Sequence, residues 1–173
     1  SIDGSYVIRD EMKAWGEWII NDIGFDGFRL DAIMHVDREF VREWLDHVQA
    51  NTEKDVFFVG EAWTGGVDGY IDFIDNGNMN AFDFDLRVQF ADYSGGGLTT
   101  GTKDMRWWGG MVNTHHAARA VTFVDNHDTS RSEDEEYEQP QIINYKNQAY
   151  AYILMREWGV PTVYARDYEE FDM

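Results

Sequence analysis

Val56-Phe57-Phe58-Val59 sets four apolar residues in a row and closes at once on Gly60-Glu61. A strand with one wet face alternates apolar and polar side chains. An unbroken run of this length therefore fits a strand covered on both faces, as in a parallel sheet. Val121-Thr122-Phe123-Val124 reads as another buried strand, closing on Asp125-Asn126-His127-Asp128, and Phe28-Arg29-Leu30-Asp31 as a short strand. Helical patterns lie between them. Ile8, Met12, Trp15, Ile19 and Ile23 step by three or four and predict an amphipathic helix. Phe40, Val41, Trp44, Leu45 and Val48 predict another, with Asp37 as its N-cap. Residues 81–86 alternate Phe82, Phe84 and Leu86 with Asp83 and Asp85 and read as a strand. Residues 149–157 read as a helix and 160–165 as a last strand. Strand, helix and strand recurring about every thirty residues fit βαβ units in an α/β fold.

The remaining stretches read as connections. Residues 94–103 are rich in Gly and Thr, and 130–139 are polar. Gly96 and Gly101 imitate the spacing of a phosphate loop, but Thr102-Lys103 has the order reversed and no strand-to-helix context supports it. Glu133-Asp134-Glu135-Glu136 is a solvated run, since adjacent like charges repel and lack ligand geometry. His47, His115 and His116 read as surface residues. Trp15, Trp18 and Trp44 lie in helical patterns and read as core, while Trp107 and Trp108 fit either place.

Composition narrows the function. Fourteen Lys and Arg against 33 Asp and Glu leave a net charge of −19 on 173 residues, which disfavours nucleic acid and anionic membrane as partners. The acids on the polar face of the second helix, Asp37, Glu39, Glu43 and Asp46, are expected to repel one another. With 43% hydrophobic and 16% aromatic residues the chain can still build a core. Cysteine is absent, so disulfides and thiolate chemistry are excluded. No apolar run is long enough for a membrane-spanning helix.

Acids at strand ends are the chemical signal. Asp31, Glu61 and Asp128 each follow an apolar strand, and in a parallel barrel the C-terminal strand ends converge on the catalytic face. Two facing carboxyl groups can act as nucleophile and general acid/base on a sugar without a cofactor. Arg29 lies two residues before Asp31 and by strand alternation points to the same face. That pair reads equally well as an ordinary structural ion pair.

Three segments then carry a resemblance: Gly27-Phe28-Arg29-Leu30-Asp31-Ala32-Ile33-Met34-His35, Phe58-Val59-Gly60-Glu61-Ala62-Trp63 and Phe123-Val124-Asp125-Asn126-His127-Asp128-Thr129. In order and spacing they resemble signature segments of the alpha-amylase family, glycoside hydrolase family 13. Trp15-Gly16-Glu17-Trp18, Phe82-Asp83-Phe84-Asp85-Leu86 and Ala149-Tyr150-Ala151-Tyr152-Ile153-Leu154 are similar to the liquefying-type bacterial and fungal intracellular amylases. The resemblance implies a TIM (β/α)8 barrel, of which residues 1–173 supply about strands four to eight. The early strands, an inserted calcium-binding domain and a C-terminal β-sandwich are expected to lie outside the chain, which alone is then expected to be inactive.

It further implies endo-hydrolysis of alpha-1,4-glucosidic bonds in an alpha-glucan, with retention of configuration. Asp31 matches the nucleophile, Glu61 the general acid/base and Asp128 the carboxylate that stabilises the transition state. Arg29 and His127 match residues that hold Asp31 and the sugar hydroxyls, and Trp63 is placed near substrate. Met34 stands where the family pattern usually has Lys, so the leaving-side contact differs. His35 matches a position whose main-chain carbonyl helps bind calcium, the one cofactor implied, although its family partners lie outside this chain. Alternatives are another family-13 enzyme acting on alpha-glucosides (glucosidase, transglycosylase or isomerase) and a non-catalytic barrel used as an interaction module. Retention of all three acids counts against the last.

Overall fold

The computed structural model describes residues 5–63, 66–75, 78–95, 108–130 and 141–170. The chain divides into two compact units, Ser1–Ala81 and Phe82–Met173.

In the first unit helix α1 (Ser5–Trp18) passes through a π-helical turn (Ile19–Ile23) into strand β1 (Gly27–Leu30). A short 3-10 turn (Ile33–His35) leads to helix α2 (Arg38–Ala50), then strand β2 (Phe57–Gly60), helix α3 (Val67–Asp75) and strand β3 (Asn80–Phe82). Strands β1 and β2 are parallel, with Gly27 opposite Phe57 and Leu30 opposite Gly60; β2 pairs in parallel with β3 through Val59 and Asn80. The predicted cap is present: the Asp37 carboxylate accepts the Phe40 N–H at 2.9 Å. Val41, Trp44, Leu45 and Val48 are buried as their spacing requires.

Phe28, Trp44 and Phe58 form the unit's aromatic centre, with Phe28 edge-on to Trp44 at 5.0 Å. The Trp44 indole donates to the Met12 carbonyl at 2.8 Å, which joins α2 to α1. Gly16 makes this approach possible, because a Cβ there would stand 2.6 Å from Val48 and 2.7 Å from Trp44.

That close approach also corrects the sequence reading of α1. Its covered positions are Gly16 and Ile20, while Ile8, Met12, Trp15, Trp18 and Ile23 are exposed. The helix predicted by periodicity exists, but the side that meets α2 is the one without a side chain at Gly16. Trp44 is core; Trp15 and Trp18 are not. The acidic face of α2 is exposed as predicted, yet Glu43 is paired: Arg9 donates to it at 2.9 Å and Lys13 at 2.5 Å.

The second unit contains helix α4 (Phe84–Ser94), strand β4 (Ala120–Phe123), helix α5 (Lys146–Leu154), strand β5 (Val160–Thr162) and helix α6 (Ala165–Glu170). Strands β4 and β5 are parallel, pairing Val121 with Val160 and Phe123 with Thr162. The expected strand over 81–86 stops at Phe82. The reason is Asp83, whose carboxylate accepts the N–H of Leu86 at 3.2 Å and starts α4, turning Phe84 and Leu86 into helical core residues. The same carboxylate accepts Met111 N–H and Val112 N–H at 2.8 Å each and is fully buried. Phe84 lies edge-on to Phe123 at 5.1 Å.

Helix α5 begins three residues before the predicted start and ends at Leu154, ahead of a left-handed turn at Gly159. The short helices α3 and α6 were not legible from periodicity. Most of the Gly/Thr-rich loop, the phosphate-loop imitation, Trp107 and the acidic run 133–136 lie outside the described residues. Trp108 is buried beside Phe90 and Tyr152. Among the described residues no helix is long and apolar enough to cross a membrane.

Candidate active site

Register explains how two acids meet in the first unit. Leu30 faces Gly60 across the parallel ladder, so the next residues, Asp31 and Glu61, leave neighbouring strands at the same level. The ladder runs one bond further, with Glu61 N–H donating to the Leu30 carbonyl at 2.8 Å, and Ile33 N–H returns to the Glu61 carbonyl at 3.0 Å. At Gly60 a Cβ would come within 2.6 Å of Ile33 and 2.9 Å of Met79, so glycine lets the turn after β1 close over the end of β2.

Arg29 then joins the two carboxylates. Its Nη2 lies 2.9 Å from Asp31 Oδ1 and 3.1 Å from Glu61 Oε1. Alternation along β1 predicted the first contact; the second was not foreseen. Ala32 N–H donates to Glu61 Oε2 at 3.2 Å. The two acids occupy different surroundings: the Asp31 side chain is 76% exposed and that of Glu61 11%. One can reach an incoming group, and the other is shielded from water. Trp63, two residues after Glu61, and Met34, in the 3-10 turn, are both half-buried, whereas His35 is exposed at the end of that turn.

Asp128 and His127 lie in the second unit. They do not close a strand directly: β4 ends at Phe123, and the two residues follow in a turn built on Asn126, whose side-chain oxygen accepts the N–H of Asp128 and of Thr129 at 3.0 Å each. His127 Nε2 stands 3.2 Å from Asp128 Oδ2; the histidine is exposed and the aspartate half-buried.

The acid nearer the end of β4 is Asp125, which sequence reasoning passed over. Its carboxylate, 2% exposed, faces Arg87 at 3.3 Å, Lys146 at 2.9 Å and the Thr129 hydroxyl at 2.9 Å. Lys146 continues to Asp167 at 2.6 Å, and Tyr150 donates to the same aspartate at 2.6 Å. Burial pushes the Lys146 ammonium down, but hydrogen bonds to Asp167 and Asp125 outweigh it and hold the group above its usual range. Burial, reinforced by Asp167, pushes the Tyr150 phenol up. Arg87 interrupts the otherwise helical-core pattern of α4; that anomaly was the available signal for a buried acid partner.

Among the described residues no group of three or more His, Cys, Asp or Glu gathers to hold a metal ion. His35 offers one main-chain carbonyl where calcium takes about six to eight oxygen ligands. These residues alone do not fit a calcium site.

Comparison with known proteins shows the family. The family model for the alpha amylase catalytic domain matches residues 5–173. The chain is 40% identical over 165 residues to an alpha-amylase of Bacillus licheniformis, covering 92% of this chain and 31% of that protein. It is 37% identical over 162 residues to a glucan 1,4-alpha-maltohexaosidase of Bacillus sp. (strain 707), covering 93% and 31%. It is 35% identical over 165 residues to the cytoplasmic alpha-amylase of Escherichia coli (strain K12), covering 94% and 32%. Among solved structures, an alpha-amylase from Geobacillus thermoleovorans complexed with acarbose matches with a TM-score of 0.64 at 20% identity, over 91% of this chain and 36% of that one. This likeness shows the fold, part of a (β/α)8 barrel. The chain spans about a third of the length of the curated relatives it matches. With parallel strands ending in carboxylates, and a family model matched from its first helix to its last residue, the chain belongs to the alpha-amylase family as a stretch of its catalytic barrel.

Proposed function

We propose that the protein carrying this chain hydrolyses internal alpha-1,4-glucosidic bonds of starch- or glycogen-type glucans with retention of configuration. The observation that supports this most is Arg29 Nη2 held between Asp31 and Glu61. Two oxygens at 2.9 and 3.1 Å from one nitrogen lie no more than about 6 Å apart. Retaining pairs stand about 5–5.5 Å apart, and inverting pairs about 6.5–9.5 Å, to leave room for a water.

In this reading the Asp31 carboxylate attacks the anomeric carbon as its bond to the leaving sugar breaks, and Glu61 gives a proton to the departing oxygen. Water then attacks the glycosyl-Asp31 ester, Glu61 takes the proton back, and the free carboxylate returns. Asp128 is assigned the stabilising carboxylate, and Arg29 and His127 the positioning of Asp31 and of sugar hydroxyls. Trp63 is placed against the sugar by its position two residues after Glu61, and Met34 by the same resemblance. The five strands are read as the fourth to eighth of the barrel. Calcium would need oxygen ligands besides the His35 carbonyl. The names of the relatives support the substrate class: two are alpha-amylases and one a 1,4-alpha-glucan maltohexaosidase.

Proton NMR of the first products tests the proposal. The whole protein is expected to release alpha-anomers from maltoheptaose before mutarotation. Initial beta-anomers would contradict it, and so would the absence of any cleavage.

A further inference from the structure

Ala32 sits in the left-handed region at φ 45° and ψ 41°, and it and Tyr145 are the two non-glycine residues with positive φ among the described residues. An L-residue there carries a steric cost that glycine would avoid, and it persists only where the surroundings over-determine it. At Ala32 the surroundings are Glu61. Three hydrogen bonds tie the end of β1 and the turn after it to that residue, and two of them, from Glu61 N–H to Leu30 and from Ile33 N–H to Glu61, use main-chain atoms alone. The third, from Ala32 N–H to Oε2 at 3.2 Å, reaches the carboxyl group itself. In this turn the Ala32 amide is directed at the side chain rather than at a main-chain carbonyl.

A carboxyl group accepting one fixed N–H on Oε2 cannot rotate freely about its last bond. Its other oxygen, Oε1, is then presented to Arg29 at 3.1 Å, on the side where Asp31 also pairs with that guanidinium. Each oxygen thus faces a donor, Oε2 the Ala32 amide and Oε1 the guanidinium, and together the two donors fix the carboxyl plane.

We propose that the Ala32 amide is a positioning group for Glu61: it locks the carboxyl plane in the orientation from which the proton is transferred. The inference rests on the reading of Glu61 as general acid/base. It assigns a purpose to the backbone conformation that separates Asp31 from Ile33.

The test removes only the N–H. In the whole protein, Ala32 is replaced by its α-hydroxy analogue, lactic acid, through nonsense suppression, which makes the amide an ester and keeps the methyl group. kcat/KM is measured on a malto-oligosaccharide, whose sugar leaving group must be protonated, and on α-maltotriosyl fluoride, whose fluoride departs with little acid assistance. The expected result is a loss of about tenfold on the oligosaccharide and less than about twofold on the fluoride. Ala32→Gly keeps the N–H and is expected to keep the wild-type ratio of the two rates. Ala32→Val, whose branched Cβ is strongly disfavoured at this φ and displaces the turn, is expected to reproduce the ester's contrast. An equal loss on both substrates for the ester and for Ala32→Val, or no loss on either, would overturn the proposal. Glu61→Gln separates the two readings. If it shows the contrast and the ester does not, the role of Ala32 alone fails. If Glu61→Gln shows no contrast, the acid/base assignment fails, and this inference with it.

Discussion

The two units treat their carboxylates in opposite ways. In the first, Asp31 and Glu61 share a single arginine nitrogen, and the Asp31 side chain remains 76% exposed. In the second, Asp125 and Asp167 are 2% and 0% exposed and are enclosed by Arg87, Lys146, Thr129 and Tyr150. Both sets stand at or just beyond strand ends, so position does not separate them. Access does. A carboxylate set enclosed entirely by buried donors holds a loop in place, whereas a pair with one member open to solvent, as Asp31 is beside the shielded Glu61, can meet a substrate. Asp125 and Asp128, three residues apart, fall on opposite sides of that line.

The sharpest way to break the contrast is to neutralise each set. Asp31→Asn and Glu61→Gln in the whole protein are expected to cut kcat on starch by about a thousandfold or more while leaving the melting temperature nearly unchanged, because each removes a group used in both chemical steps. Reducing-sugar assays alongside thermal melts check this. Near-normal turnover by either variant would remove the assignment.

Lys146→Met is expected to act the other way round, on folding first. It leaves Asp125 and Asp167 buried without the ammonium they share, a change that costs about 3–5 kcal/mol when a buried pair is broken. Denaturant titration measures it. A loss below about 1 kcal/mol would place the network with surface pairs, which contribute little.

Two capping aspartates sharpen the comparison further. Asp83 satisfies three backbone N–H groups from full burial, and Asp37 satisfies one from an exposed position. Asp83→Ala is expected to cost about 3 kcal/mol, since it strands buried donors as well as a cap, and Asp37→Ala about 0.5–1 kcal/mol. Equal losses in denaturant titration would contradict the distinction.

The smallest effect is a pH dependence. The raised Lys146 ammonium contributes stability that is complete below its unfolded value of 10.5 and is lost as pH rises toward its higher folded value. The Tyr150 phenol, also raised, stays protonated in the folded state while the unfolded state ionises above 10.0, so it too withdraws stability on the alkaline side. Melting temperatures between pH 9 and 11.5 are expected to fall, and Tyr150→Phe to flatten part of that fall. An identical slope in the variant would exclude the tyrosine's share.

Much of this was legible in the sequence. The apolar run at 121–124 marked a buried parallel strand and that at 56–59 a parallel strand buried except at Phe57; the spacing of Val41, Trp44, Leu45 and Val48 marked α2, and Asp37 its cap. The position of Arg29 two residues before Asp31 foretold their contact. Other features depend on partners that periodicity does not carry. Asp83 ends a strand pattern by capping α4, and Gly16 decides which side of α1 is covered. The burial of Asp125 depends on cations from two different helices. The bond from Ala32 to Glu61 depends on a backbone angle that no side-chain pattern records.

The central claim is that Asp31 is the atom source of a covalent intermediate and Glu61 its acid/base. Incubating the whole protein with 5-fluoro-α-maltosyl fluoride, which forms the intermediate faster than it releases it, and mapping the labelled peptide by mass spectrometry tests it directly. One glycosyl group per molecule is expected, on the peptide containing Asp31 and on its carboxylate, with the label abolished in Asp31→Asn. A label on another residue, or alpha-glucan cleavage with no covalent species at any time, would contradict it.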